Sequence, residues 1–165
     1  VRRRRRLWPA LLVVAALVVT ARVFFFEPFK TDGLSMVPTL RSGDQVLVDK
    51  RAYRGSKLPQ RGDLVVFHAP RTGDVTLKRA IGLPGDTVGI EDGVLVVNGR
   101  RQVEPYADPE AIDSVYFGPV RVRPGTVFLL GDNRLDSRDS RDFGSVAGGE
   151  LIGRVRGLIW PPSRW

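Results

Sequence analysis

The chain has 165 residues, with 26 Lys and Arg against 18 Asp and Glu, no Cys and one His. Without cysteine there is no disulfide framework, thiol nucleophile or thiolate metal site, and a lone His68 excludes a multi-histidine centre. The formal charge of +8 is local: residues 1–22 carry six Arg (Arg2 to Arg6, and Arg22) and no acid, leaving 20 basic against 18 acidic groups elsewhere. A basic terminus rather than a basic domain face argues against nucleic acid as a partner.

Residues 1–6 form the basic cluster, and Leu7 to Phe26 follow as an apolar run broken mainly by Pro9, Thr20 and Arg22. As a helix this run spans roughly 30 Å, the thickness of a bilayer's hydrocarbon core. Pro9 falls in the first turn, where its missing N–H costs little, and Arg22 near the far end, where its side chain reaches the interface. Basic residues before a span stay cytoplasmic, which expects residues 27–165 on the outer face. The same features fit a cleaved signal peptide, with Val19-Thr20-Ala21 as a small-residue cleavage site, so both readings stand at this point.

From Glu27 onward 139 residues remain, enough for one core, and none of them shows a sustained helical period. Short Val- and Ile-rich runs alternate with turn residues instead: Val46 to Val48, Leu64 to Phe67, Val75 to Leu77, Val94 to Val97, Val127 to Leu130, and Leu151-Ile152. Asp92-Gly93 and Asn98-Gly99 suit two-residue hairpin turns, because Asn, Asp and Gly tolerate positive φ. The expected fold is mainly β and antiparallel, preceded by one transmembrane helix. Residues 104–125 read least regularly and are expected as an excursion from the core sheet.

Four segments carry chemistry. In Gly33-Leu34-Ser35-Met36-Val37-Pro38-Thr39-Leu40 a serine sits among apolar residues on a proline-stiffened turn, a setting for a nucleophile or for an ordinary turn serine. Gly62-Asp63-Leu64-Val65-Val66-Phe67-His68 reads as a structural strand, although His68 also invites a Ser-His-Asp triad. In Thr76-Leu77-Lys78-Arg79-Ala80-Ile81-Gly82-Leu83-Pro84-Gly85-Asp86 the strand period puts Lys78 on a face with Thr76 and Ala80, and points Arg79 away. A lysine works as a general base at neutral pH only if burial brings its pKa down from about 10.4 by several units; otherwise it is an exposed strand lysine. The fourth segment, Gly131 to Gly144, interleaves Asp132, Asp136, Asp139 and Asp142 with Arg134, Arg138 and Arg141. It reads as an ion-paired loop; a calcium loop is disfavoured by Arg134 at a ligand position and by the lack of a closing Glu.

In this order the four segments resemble the type I signal peptidases, membrane-bound serine proteases with a Ser/Lys dyad. The motifs are Ser-Met-x-Pro-Thr-Leu, Gly-Asp-x-Val-Val-Phe, Lys-Arg-x-x-Gly-x-Pro-Gly-Asp and Gly-Asp-Asn-Arg followed by Ser-x-Asp-Ser-Arg. The resemblance implies a β-rich fold of the LexA and signal peptidase type that joins Ser35 to Lys78, with the N-terminal span retained. It implies Ser35 as nucleophile, Lys78 as general base, Ser137 as the hydroxyl that orients the lysine, and Asp139 with Arg141 as a supporting ion pair. Asp132 and Arg79 match supporting positions, while Met36, Leu77 and Asp32 match positions that meet the substrate. Some members place an oxyanion-stabilising serine two residues before the nucleophile. Here that position is Gly33, which leaves the backbone amides of Ser35 and Gly33 as oxyanion donors.

The implied substrates are secretory preproteins cut after a small-x-small site, without metal or cofactor, by a single-pass enzyme of the plasma membrane; a monomer is expected, although the sequence does not fix the oligomeric state. Nine residues separate Phe26 from Ser35, so the serine lies within roughly 30 Å of the membrane surface even if the chain is extended. Trp160 and Trp165 are candidates for the lipid interface or for capping the β core. Two rivals are a self-cleaving repressor of the LexA type, which carries a DNA-binding module and no span, and a non-catalytic membrane-tethered β module.

Overall fold

The computed structural model of the protein describes residues 7–107 and 116–164, leaving out residues 1–6, 108–115 and 165 and, within the first helix, the side chains of residues 7, 17, 18 and 21–24. Helix α1 runs Leu7–Phe25. Pro9 lies in its first turn, and Thr20 Oγ1 donates to Ala16 O at 2.7 Å, the back-bond by which a hydroxyl is satisfied within a helix. Among the described residues no helix is long and apolar enough to cross a membrane. The expectation for Arg22 falls on a side chain outside the description, as does that for Trp165.

Every strand pairing is antiparallel. The larger sheet has seven strands: β1 (Phe26–Lys30), β2 (Gln45–Asp49), β3 (Leu64–His68), β4 (Val75–Gly82), β9 (Thr126–Leu130), β10 (Val146–Ala147) and β11 (Leu151–Trp160), ordered β1-β2-β11-β3-β4-β9-β10. The smaller has four: β5 (Thr87–Glu91), β6 (Val94–Val97), β7 (Arg100–Arg101) and β8 (Tyr116–Arg121), ordered β7-β6-β5-β8. Both dipeptide turns form as expected. Asp92 and Gly93 have φ of 52° and 74°, and Asn98 and Gly99 of 54° and 72°, so paired left-handed residues close β5 on β6 and β6 on β7. Within 104–125, Tyr116–Arg121 is strand β8 on the edge of the smaller sheet, and Val122 is buried. Gly118 and Pro119 had masked that strand, since both residue types are depleted in strands away from edges.

Alternation along the larger sheet builds two cores on its two faces. Val46, Val48, Val66 and Leu77 meet Met36 and Leu40 on one, while Val65, Phe67, Ala80, Leu129 and Val146 pack together on the other. A third cluster joins the sheets: Ile81, Phe128 and Leu130 against Val88, Leu95, Val97 and Val122. Strand β4 contributes to all three and is covered on both faces from Leu77 onward. That double cover decides the chemistry of the next residue along, Lys78.

Candidate active site

Ser35 stands in the turn between β1 and β2, and Lys78 in the middle of β4. Leu40 N bonds back to Met36 O at 2.8 Å and Val37 N to Leu34 O at 3.1 Å, winding the segment so that Met36 and Leu40 enter the core. The serine is thereby held over β4, and Lys78 Nζ lies 2.6 Å from Ser35 Oγ across 43 residues of sequence. Lys78 is only 3% exposed. Burial draws its pKa down to about 8, against the weaker opposing pull of Asp139, Asp132 and Asp136. A hydroxyl in hydrogen-bond contact with an amine that approaches neutrality near physiological pH is the geometry of a nucleophile and its base.

The neighbouring Arg79 leaves the strand on the other side, as the strand period predicts. Its Nε and Nη2 make a two-pronged contact with Asp132 Oδ1 and Oδ2 at 2.8 and 2.6 Å, and its Nη1 donates to Gly62 O at 3.0 Å. Thr39 Oγ1 donates to Asp132 Oδ2 at 2.5 Å, tying the turn that carries Ser35 to this pair. Arg79 also lies 3.9 Å from the ring centroid of Tyr106, whose hydroxyl donates to Glu104 at 2.8 Å; Glu104 in turn pairs with Arg134 at 2.6 Å. Sequence reasoning missed Thr39, Glu104, Tyr106 and Arg134 as supports. Thr39 and Arg134 stand inside the motifs quoted above, but their partners Asp132 and Glu104 lie 93 and 30 residues away, and no local pattern announces Glu104 or Tyr106.

Asp139 organises the last segment. It caps the one-turn helix α2 (Ser140–Phe143), and its Oδ2 accepts from Gly131 N at 3.0 Å and from Ser137 Oγ at 2.8 Å. Arg141 Nε donates to Asp139 Oδ1 at 2.9 Å, so the two side chains form the ion pair read from the motif. Ser137 gives its proton to Asp139, not to the lysine. Asn133 N donates to Ser35 O at 3.1 Å. A Cβ on Gly131 would fall 2.2 Å from Ser137 Oγ and 2.6 Å from Ser35 O, so glycine is what lets this loop lie against the serine. Asp132 and Asp139 are thus paired with Arg79 and Arg141, and Asp142 accepts from the Asp139 amide.

Ser35 borders a cleft of about 210 Å³ lined by Phe29, Asp32, Gly33, Met36, Leu40 and Val75 to Leu77 among others. The three residues matched to substrate contact, Met36, Leu77 and Asp32, all line it. Ala80 N and O bond toward β3, to Asp63 O and Gly62 N. Alternation therefore turns the peptide groups of Val75 and Leu77 to the opposite edge, which β9 covers only from Arg79 onward. Gly33 adopts φ of 80° and donates its N–H to Asp32 Oδ1 at 2.9 Å, so that amide is spent locally. Among the described residues Ser35 N–H has no hydrogen-bond partner. His68 is exposed at the β3 end, its Nδ1 3.2 Å from Gly73 O within the hairpin, and takes no part in this constellation. Trp160 ends β11, 57% exposed.

The profile of the family described as "Signal peptidase, peptidase S26" matches residues 4–160. The chain belongs to that family. It is 40% identical to signal peptidase I of Bacillus caldolyticus, over 96% of this chain and 92% of the relative. Signal peptidase I T of Bacillus subtilis (strain 168) is 35% identical, over 93% of this chain and 84% of that one. A crystal structure of a signal peptidase I from Enterococcus faecalis V583, 36% identical, overlays with a TM-score of 0.49 across 59% of this chain and 97% of that one. Membership makes the chain a serine peptidase of the signal peptidase I type, a hydrolase.

Proposed function

We propose that the protein cleaves N-terminal signal peptides from exported preproteins by a Ser35/Lys78 dyad, through an acyl-enzyme. The observation that carries this reading is the 2.6 Å contact between Ser35 Oγ and a lysine only 3% exposed. Neutral Lys78 takes the Ser35 proton as Oγ attacks the scissile carbonyl carbon. The oxyanion that develops meets the unpartnered Ser35 N–H. Collapse expels the new N-terminal amine, which receives the proton from the Lys78 ammonium. Lysine, neutral again, then takes a proton from water as the water attacks the ester, and returns it to Ser35 Oγ when the acyl group leaves as a carboxylic acid, which loses its remaining proton to solvent.

The preprotein adds as a strand along the uncovered edge of β4, bonding the peptide groups of Val75 and Leu77. Its side chains alternate, and those facing Met36, Leu40 and Leu77 enter a cleft of about 210 Å³ shared among two positions, room for small residues only. Exposed Leu34 and Val75 form an apolar rim for the hydrophobic part of the signal peptide. The largely apolar run Leu7 to Phe26, broken mainly by Pro9, Thr20 and Arg22, supports α1 as the membrane span, residues 1–6 remaining cytoplasmic and 27–165 forming an outer-face catalytic domain. Enzyme and substrate then share one surface, which raises their effective concentration.

The test is cleavage of a signal-peptide-bearing substrate, read at the cut bond, by the full chain and by Ser35→Ala and Lys78→Ala. Both variants are expected to be folded and inactive; normal cleavage by folded Lys78→Ala refutes the dyad. An intact N-terminus in mass spectrometry of the membrane-extracted protein is expected, and a start at Arg22 refutes the span.

A further inference from the structure

A cavity of about 580 Å³ opens beside Phe26, the first residue after α1, and is lined by neither Ser35 nor Lys78. Its wall carries Arg51, Lys57, Arg154 and Arg156 against two carboxylates, Asp49 and Asp63. Those carboxylates are already engaged. Asp49 Oδ2 takes Arg156 Nη2 at 2.5 Å, and Asp63 faces Arg154 Nη1 at 3.6 Å and accepts from Gln60 N at 3.1 Å. Arg51 and Lys57 have no ion-pair partner among the described residues, and both are exposed. The Arg51 guanidinium lies 4.4 Å from the Phe25 ring centroid, a contact that holds the side chain without neutralising it. Lys50 N donates to Phe25 O at 3.0 Å, so the cavity is fastened to the last turn of α1.

Resting on the reading of α1 as a membrane span, we infer that this cavity holds the phosphate headgroup of an anionic membrane lipid, bound by Arg51 and Lys57. A residue at the end of a span lies at headgroup height, where phosphodiester oxygens are the dense anions. The concavity offers two uncompensated cations that converge there, and charge-assisted contacts to phosphate are among the stronger hydrogen bonds. Phe25 and Phe26 supply apolar edges against which the lipid's glycerol and upper acyl carbons pack. A free phosphate ion lacks that second contact, which is why the lipid is the occupant. Arg154 and Arg156 build the wall and stay paired, so substituting them would strand Asp63 and Asp49.

The experiment uses the full chain in neutral detergent micelles, titrated calorimetrically with dihexanoylphosphatidylglycerol, with dihexanoylphosphatidylcholine and with inorganic phosphate. The wild type is expected to bind the glycerol lipid, and the double variant Arg51→Ser/Lys57→Ser to bind it about 30-fold more weakly, at roughly one factor of five per lost cation. Cleavage of a soluble signal-peptide substrate in the same micelles stays unchanged in that variant, which reports an intact fold. Phosphatidylcholine and phosphate bind at least about tenfold more weakly than the anionic lipid. Equal binding by wild type and double variant overturns the site, and phosphate binding as tight as the lipid's overturns the lipid as its occupant. Flotation with neutral phosphatidylcholine vesicles tests the span separately. Failure to float overturns the span and the lipid with it, whereas flotation with unchanged lipid binding in the double variant overturns the cavity alone.

Discussion

Replacing Lys78 with methionine separates what the lysine does for chemistry from what it costs the fold. Methionine fills a similar volume and carries no charge, so it removes the proposed base while keeping β4 covered on both faces. Burial brings the lysine from 10.5 down to about 8 in the folded protein. Between those values the unfolded chain binds a proton that the native one does not, so wild-type stability rises with pH across that window. Below it, the full penalty for the buried ammonium is present, about 3 kcal/mol at pH 7. Loss of the hydrogen bond to Ser35 returns about 1 kcal/mol, so Lys78→Met is expected to be more stable by about 2 kcal/mol at pH 7. At pH 10 most of the penalty has gone, and the wild type should have recovered about 2 kcal/mol relative to the variant. Urea unfolding of both proteins at the two pH values checks this, alongside a preprotein cleavage assay in which the variant is inactive. Wild-type kcat/KM should rise with pH to a plateau, with a midpoint near 8. A stability difference that is the same at both pH values, or a less stable variant at pH 7, refutes the desolvated lysine.

Two further substitutions probe the loop behind the serine. Gly131→Ala puts a methyl group 2.2 Å from Ser137 Oγ and 2.6 Å from Ser35 O, so backbone must shift. We expect a loss of about 2 kcal/mol in stability and at least a tenfold drop in kcat, with KM less affected; wild-type turnover would show that the loop does not set the position of Ser35. Ser137→Ala removes a hydroxyl that donates to Asp139 Oδ2 at 2.8 Å. A partial loss of about tenfold in kcat together with a shifted pH midpoint is expected, and an unchanged rate and profile removes Ser137 from the support of the dyad.

The readable parts of the sequence are those where local pattern and final environment agree. Val46 to Val48, Leu64 to Phe67 and Val94 to Val97 are valine-rich apolar runs between turns, and each lies within a strand. Asp92-Gly93 and Asn98-Gly99 state their backbone conformation in their own chemistry. Alternation along β4 also separates Lys78 from Arg79 correctly, because successive side chains of a strand point to opposite faces of the sheet. Strands β1 and β8 were hidden by the same rule read in reverse. Phe26–Lys30 contains Pro28 and continues an apolar run, and Tyr116–Arg121 contains Gly118 and Pro119; both strands lie at sheet edges, where missing donors are tolerated. At the site, the motifs carried Ser35, Lys78, Asp132 and Asp139, but not how Gly33 uses its amide. Asp32 engages that N–H and also accepts from Ser42 Oγ at 3.2 Å, a preference set by the turn's φ of 80°.

Two adjacent cations on β4 meet opposite fates under nearly equal burial, Lys78 at 3% and Arg79 at 8% exposure. The difference lies in what each side chain touches. Arg79 meets a carboxylate in a two-pronged contact. Lys78 meets a hydroxyl. The carboxylates that draw its proton back are Asp139, Asp132 and Asp136, and the first two are already paired with Arg141 and Arg79. A paired carboxylate presents a dipole to a third charge, and its pull fades faster with distance than that of a bare anion. Burial outweighs the combined pull of all three carboxylates on Lys78.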